Sequence, residues 1–172
     1  MWSKKVQLAK KFAAKAHEGQ KYGEEFPYVI HLQAVEGVGR RFGLVDDTFL
    51  CSFWLHDTLE DTSARYEELV ALFGFEVAEI VAAVTEPKGM TRKERHAVTY
   101  PKIAAHPKAL LVKLADRIAH LEAGGSKTSM YRKEHPMFVK MLGGDRADAG
   151  GPSVLVDMWD YLDELIAEAP YE

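Results

Sequence analysis

Apolar residues recur at three- and four-residue spacing along most of the chain, the period of helices that bury one face. Val6, Leu8, Ala9, Phe12, Ala13 and Ala16 share a face while lysines line the other, which predicts a helix over about Lys4–Glu18. Gly19 and Gly23 bracket a polar loop carrying Gln20, Lys21 and Tyr22. Pro27 then sets an extended entry to a second helix over about Ile30–Phe42, ended near Gly43. Leu44–Thr48 offers an N-cap for a third helix that is apolar nearly all round, with Phe49, Leu50, Phe53, Trp54 and Leu55. A helix of that kind belongs in the centre of a bundle. It is expected to run on into His56-Asp57-Thr58-Leu59-Glu60-Asp61. Further helices are predicted near Tyr66–Phe73, Val77–Thr85, Arg92–Ala105, Ala109–Ala123, Tyr131–Leu142 and Val154–Ala167. No stretch sustains the alternation of a strand, so the predicted fold class is all-α, a helical bundle.

The run 143–153, rich in glycine and small polar residues, reads as the one linker. It separates a domain over 1–142 from a helix over 154–172 that is expected to dock back on the same domain. Ser153 suits its N-cap. A chain of 172 residues fits one domain with a proper core.

A formal net charge of -4 gives no field that would draw the protein to a nucleic acid polymer or an anionic membrane. An anionic ligand must instead meet a local group of cations or a metal. Cys51, the single cysteine, lies in an apolar run and reads as a small buried hydrophobe in a reducing compartment. The lysine-rich N-terminus lacks the uninterrupted apolar run of a secretory signal, and no stretch approaches the roughly 18 apolar residues of a membrane span. The expected location is cytoplasmic.

Four ionisable groups, His56, Asp57, Glu60 and Asp61, crowd within two turns after a segment that must be buried. On a continued helix, His56 and Glu60 would be neighbours, as would Asp57 and Asp61. A divalent cation gives such a cluster a reason to exist; an exposed helix end with incidental charges is the alternative. His31 opens a helix whose Ala34, Val35 and Val38 face inward, and Asp116 sits mid-helix among Leu114, Ala115 and Ile118. Taken singly, His31 fits a hydrogen-bonded core histidine, and Asp116 a carboxylate paired with Lys113 or Arg117. Together, His31, His56, Asp57 and Asp116 form a set of two histidines and two carboxylates on three helices. That nitrogen and oxygen mix suits Mn²⁺, Fe²⁺, Zn²⁺ or Co²⁺, with positions left for water and substrate.

The ordered motifs Ala16-His17-Glu18-Gly19-Gln20, Pro27-Tyr28-Val29-Ile30-His31, His56-Asp57-Thr58-Leu59-Glu60-Asp61-Thr62 and Lys113-Leu114-Ala115-Asp116-Arg117 resemble the HD-domain superfamily. They are most similar to the hydrolase domain of RelA/SpoT-type enzymes and the small stand-alone alarmone hydrolases, over roughly residues 5–123. The resemblance implies a helical bundle around one Mn²⁺ and removal of the 3′-pyrophosphate of (p)ppGpp by metal-activated water. It implies His31, His56, Asp57 and Asp116 as metal ligands, and Glu60 and Asp61 as the carboxylate pair that serves the attacking water. Two departures fall at positions that touch nucleotide in the family: Lys21-Tyr22 replaces the usual Arg-Lys, and His120 replaces an asparagine.

Phosphoryl oxygens need fixed cations, and Lys21, Arg92, Arg95, Lys113, Arg117 and Arg132 are the candidates. Tyr22, Tyr28, Tyr131 and His120 are further candidates for contact with base or sugar, His120 alternatively for a hydrogen bond to a metal-binding carboxylate one turn before it, and His17 for a supporting place beside the site. His96, His106 and His135 read as surface residues. The expected partner is therefore a small nucleotide, a guanosine polyphosphate first, bound by a monomer or small homo-oligomer. Two alternatives are an HD-type phosphohydrolase of another nucleotide or phosphorylated cofactor, and a non-catalytic module that holds metal and nucleotide.

Overall fold

A computed structural model describes residues 2–125, 127–144 and 153–168. Its helices are α1 (Lys4–Ala16), α2 (Val29–Arg41), α3 (Asp47–Leu55), α4 (Thr58–Asp61), α5 (Tyr66–Phe73), α6 (Phe75–Val84), α7 (Arg92–Ala104), α8 (Pro107–Ala123), α9 (Thr128–Leu142) and α10 (Val154–Glu168). Between α1 and α2 lies a hairpin of two short strands, β1 (Lys21–Tyr22) and β2 (Phe26–Pro27). The all-α bundle is thus the observed architecture.

Two helices form its centre. The α3 helix packs on α1, α2, α6 and α8, and α8 packs on α2, α6, α7, α9 and α10. Every residue of α3 from Phe49 to Leu55 is buried, as its apolar circumference requires. Full burial of each large apolar side chain there contributes about 1.5–3 kcal/mol. The Asp46 carboxylate caps the helix by accepting from the Phe49 N–H at 3.0 Å. Cys51 is fully buried and its thiol is pushed up to about 11 by burial, which makes it inert packing. Gly74, at φ 85°, ends α5 and starts α6, a conformation that an L side chain resists.

The periodicity located the helices to within a few residues, with informative differences. Leu8, counted on the buried face of α1, is 41% exposed, so the apolar stripe of that helix is carried by Val6, Ala9 and Ala13. The predicted start of α8 moves to Pro107, because the His106 side chain accepts from the Ala109 N–H and proline suits the first helical turn. The loop of Lys21 and Tyr22 is a hairpin, with Tyr22 opposite Phe26 and Lys21 opposite Pro27. Two residues per strand are too few to leave an alternating pattern.

The α10 helix buries Met158, Trp159 and Leu162 and packs on α8 and α9. Ser153 Oγ accepts from the Val156 N–H at 3.3 Å, the capping role its sequence position suggests. Most of the predicted linker, residues 145–152, lies outside the described residues.

One buried charge on α2 escaped the sequence reading. Glu36 is buried yet accepts from Trp54 Nε1 at 2.6 Å and Arg40 Nε at 2.8 Å, and pairs with Lys10 Nζ at 2.9 Å. Burial pushes its carboxyl up, but these donors outweigh it and hold the group below the usual glutamate range. Close by, Gly39 lets α2 meet α3. A Cβ there would lie 2.2 and 2.3 Å from two ring carbons of Phe53, itself wholly buried. Gly39→Ala is therefore expected to destabilise the fold by about 1–3 kcal/mol or more through overpacking. Urea melts of the two proteins check this; equal midpoints would show that α2 and α3 shift apart freely.

Candidate functional site

The site begins where α3 stops. His56 Nδ1 lies 2.9 Å from the Phe53 carbonyl, and Thr58 Oγ1 donates to the Leu55 carbonyl at 2.7 Å. These side chains satisfy carbonyls that a continuing helix would have used, so His56 and Asp57 form a turn before the short α4. The predicted continuous helix through Asp61 is thus corrected to helix, turn, helix. The turn aims both side chains at α2 and α8. Its contact with the Phe53 carbonyl requires the proton on His56 Nδ1; Nε2 faces Asp57 and Asp116, whose carboxylates outweigh burial and hold the ring well above its usual value, so a cation bound there would take the place of a proton.

There the structure brings His31 of α2, His56, Asp57 and Asp116 of α8 together. His56 Nε2 is 2.9 Å from Asp57 Oδ2 and 3.7 Å from Asp116 Oδ1. His31 Nε2 is 3.2 Å from Asp116 Oδ1 and 3.8 Å from Asp57 Oδ2. Donors held at about 2.0–2.2 Å from one ion stand roughly 3–4 Å from each other, so these separations fit a shared cation. His31 Nε2, His56 Nε2 and Asp116 Oδ1 are buried without a hydrogen-bond partner. Orphaned polar atoms of this kind are costly unless something else satisfies them, and the residues fit a divalent metal.

The electrostatics divide the two histidines. Burial pushes His31 below its usual value, toward the neutral imidazole that coordinates metal. Burial opposes charge on Asp116 as well, yet the Lys113 ammonium beside it outweighs burial and keeps the carboxylate well below its ordinary range. Asp57 follows the same pattern, with His56 overcoming burial. Lys113 Nζ donates to Asp116 Oδ2 at 3.1 Å, so Lys113 orients a carboxylate as well as facing the pocket. The Tyr28 hydroxyl donates to Asp57 Oδ2, and His17 stacks on the Tyr28 ring at 4.7 Å between centroids.

Above the cluster opens a cavity of about 210 Å³. Asp57, Glu60, Asp61, Glu86 and Asp116 line it together with Arg92, Arg95, Lys113 and Lys127, and Tyr28, His120 and Tyr131 complete the lining. Four cationic side chains face five carboxylates, so a bound divalent cation makes the pocket positive overall, suited to an anion. Glu60 Oε2 accepts from the Glu86 N–H at 2.9 Å, and burial raises its carboxyl above the usual glutamate value. Asp61 Oδ2 accepts from Gln20 Nε2 at 2.8 Å, and Gln20 in turn lies 2.7 Å from His17 Nδ1.

Several candidates fall elsewhere. Arg117 is only 2% exposed; it donates to the Tyr131 carbonyl and lies over the Phe138 ring, so it is a core residue and does not reach the pocket. Arg132 donates to the Ile166 carbonyl of α10 and is not at the site. Lys21 is exposed on β1 and does not line the cavity. The Tyr22 ring stacks on His31 at 5.0 Å, and its hydroxyl lies 3.1 Å from His120 Nδ1, which turns a candidate base-stacking group into a cover for the cluster. Arg92 and Arg95 do line the cavity, but each already has a carboxylate: Arg92 Nη2 donates to Glu134 at 3.0 Å, and Arg95 Nε is 3.1 Å from Glu86.

The three histidines read as surface residues are all partly buried with partners. His96 stacks on Tyr100, His106 caps α8, and His135 Nε2 is 2.7 Å from Asp163. Conversely, Gln20, Glu86 and Lys127 reach the site unannounced. Each sits in or beside a loop without periodicity, and only a charged residue directly before Pro87 could have drawn notice to Glu86.

The sequence profile described as "HD domain" matches residues 9–135, from within α1 to within α9. A guanosine-3′,5′-bis(diphosphate) 3′-pyrophosphohydrolase of Aquifex aeolicus is 35% identical over 70% of this chain and 18% of its own length. Guanosine-3′,5′-bis(diphosphate) 3′-pyrophosphohydrolase MESH1 of Danio rerio is 37% identical over 64% of this chain and 63% of its own. The matched region thus spans less than two thirds of these curated relatives. A solved structure described as a metazoan ortholog of SpoT that hydrolyzes ppGpp superposes with a TM-score of 0.74 and 25% identity, covering 98% of this chain and 97% of that one. A profile match that takes in all four convergent side chains, on a bundle that superposes nearly end to end, settles the family: this chain belongs to the HD domain family.

Proposed function

We propose that this protein is a divalent-metal-dependent phosphohydrolase that removes pyrophosphate from the 3′ position of guanosine polyphosphates. The observation that carries the reading is the convergence of His31, His56, Asp57 and Asp116, with buried unpartnered donor atoms, beneath a pocket lined by cations. The names of its relatives supply the substrate class. His31, His56, Asp57 and Asp116 would hold the cation, Mn²⁺ first, with Fe²⁺, Zn²⁺ and Co²⁺ as alternatives. When bound, it would act as a Lewis acid toward a water and the phosphoryl oxygens.

The chain's own residues do the rest. Glu60, fixed by the Glu86 N–H and raised by burial, takes the proton of the attacking water. Asp61, held by Gln20, positions that water. The water oxygen bonds to the phosphorus attached to the 3′ oxygen as the bond from that phosphorus to the 3′ oxygen breaks; the proton held by Glu60 passes to the 3′ oxygen, and pyrophosphate leaves GDP or GTP. Arg92, Arg95, Lys113 and Lys127 meet the charge on the phosphate groups. Tyr28 and Tyr131 line the same pocket and offer aromatic faces to the nucleotide.

Another phosphorylated nucleotide is a second reading, favoured by one observation. Tyr22 and His120, at the positions where this chain departs from the family, engage each other and His31 rather than open space. The test is a panel of nucleotides including ppGpp and pppGpp, offered to Mn²⁺-loaded protein with products separated by chromatography. Pyrophosphate with GDP or GTP, lost on chelation and restored by Mn²⁺, is the expected result. Inorganic phosphate from a different nucleotide would favour the second reading, and a ligand retained without turnover would make the protein a binding module.

A further inference from the structure

We infer that His120 is a fifth protein ligand of the cation, its Nε2 completing a set of three imidazoles and two carboxylates; this rests on the metal reading proposed above. His120 lies on α8 one turn beyond Asp116, with Nε2 3.3 Å from Asp116 Oδ1. The same oxygen is 3.2 Å from His31 Nε2 and 3.7 Å from His56 Nε2. Three imidazole nitrogens therefore ring one carboxylate oxygen. Two triads describe the cluster, His31–His56–Asp57 and His31–Asp116–His120, each bringing its ligand atoms within 4.8 Å of one another. They share His31, and the second contains the residue that no reading of the sequence made a ligand.

Orientation distinguishes a ligand from a neighbour. Asp116 Oδ1 is buried without a hydrogen-bond partner although His120 Nε2 stands 3.3 Å away, so the two lie side by side, as donors to a common ion do. Lys113 takes the other oxygen, Oδ2, which leaves Oδ1 for the cation. On its outer edge, His120 Nδ1 meets the Tyr22 hydroxyl at 3.1 Å, the arrangement by which an outer partner fixes a ligating histidine. The ring is also held between His31, at 4.3 Å between centroids, and Tyr131, at 5.4 Å, so it is poorly placed to swing out toward a nucleotide. With His120, the set gains a third nitrogen donor. Nitrogen-rich sites suit Zn²⁺, Co²⁺ and Fe²⁺ better than the oxygen-preferring Mn²⁺.

The test uses the full chain and its His120→Asn and His120→Ala variants, with thermal melts to establish folding. Each is titrated with Co²⁺ by calorimetry and visible absorption, and Asp116→Ala serves as the control without the cluster. Both His120 variants are expected to bind Co²⁺ at least about tenfold more weakly, since loss of an outer partner alone costs 10–100-fold. Their cobalt absorption bands should also move. X-ray absorption on the Zn²⁺-loaded wild type needs no variant and should count three imidazoles. Two imidazoles, or an unchanged cobalt spectrum in folded variants, would overturn the assignment while leaving the four-ligand site standing. A wild type that binds Co²⁺ no better than Asp116→Ala would instead remove the metal reading and this inference with it.

Discussion

Asp116→Ala should lose both the bound metal and hydrolysis, the latter by about 10³-fold or more. Asp116 Oδ1 is the atom around which the histidine nitrogens gather, at 3.2 to 3.7 Å. Without it, His31 keeps no carboxylate nearer than Asp57, at 3.8 Å. Metal-ion catalysis stabilises charge in the transition state by several kcal/mol, and each 1.36 kcal/mol is a factor of ten in rate. The same truncation leaves the ammonium of Lys113 without its partner in a largely buried place, and breaking such a pair costs about 3–5 kcal/mol of stability. Asp116→Asn separates the two effects, because it keeps the volume and an oxygen for Lys113 while removing the charge. Metal content by elemental analysis, with urea melts and a pyrophosphate assay, reads all three quantities. An alanine variant that retains a full equivalent of metal would show that Asp116 is not a ligand.

Glu60→Gln should retain the metal and the fold but turn over about 10²–10⁴-fold more slowly, the range associated with a positioned acid or base. The amide oxygen can still accept from the Glu86 N–H, so the side chain stays in place and only its basicity is lost. Glu60 also gives the reaction a pH signature. Burial, reinforced by Asp57, raises its carboxyl above the ordinary glutamate value of 4.5. A general base works when ionised, so the rate should fall as pH drops through that raised value, and the Gln variant should lose this acid limb. Rate profiles of the two metal-loaded proteins decide the matter. A Gln variant as fast as wild type would move the role of base to Asp61.

The metal-site candidates were visible as motifs because each carries local contradictions. Polar residues at the end of an all-apolar helix, and an aspartate amid Leu114, Ala115 and Ile118, ask for a partner wherever the chain folds. Cations were harder to place. Arg92, Arg95, Arg117 and Arg132 look alike in sequence, yet two line the pocket, one is packed under Phe138 and one reaches toward α10. A guanidinium sits at the end of a long side chain, so its position depends on which carboxylate or carbonyl lies within reach, and Glu134, Glu86 and Ile166 are remote in sequence or unmarked.

By itself the sequence determined the all-helical class and the central place of α3, and it marked the residues proposed to hold a cation. Those follow from periodicity and from the cost of burying unpaired polar groups, both local properties. Only the tertiary structure decided that α3 breaks at His56, that the hairpin lays Tyr22 over His31, and that His120 turns its Nε2 toward Asp116. The break rests on side chains that bond carbonyls three residues back, a choice that periodicity does not show, and the hairpin and His120 meet across 98 residues, where distance in space carries no imprint on spacing along the chain.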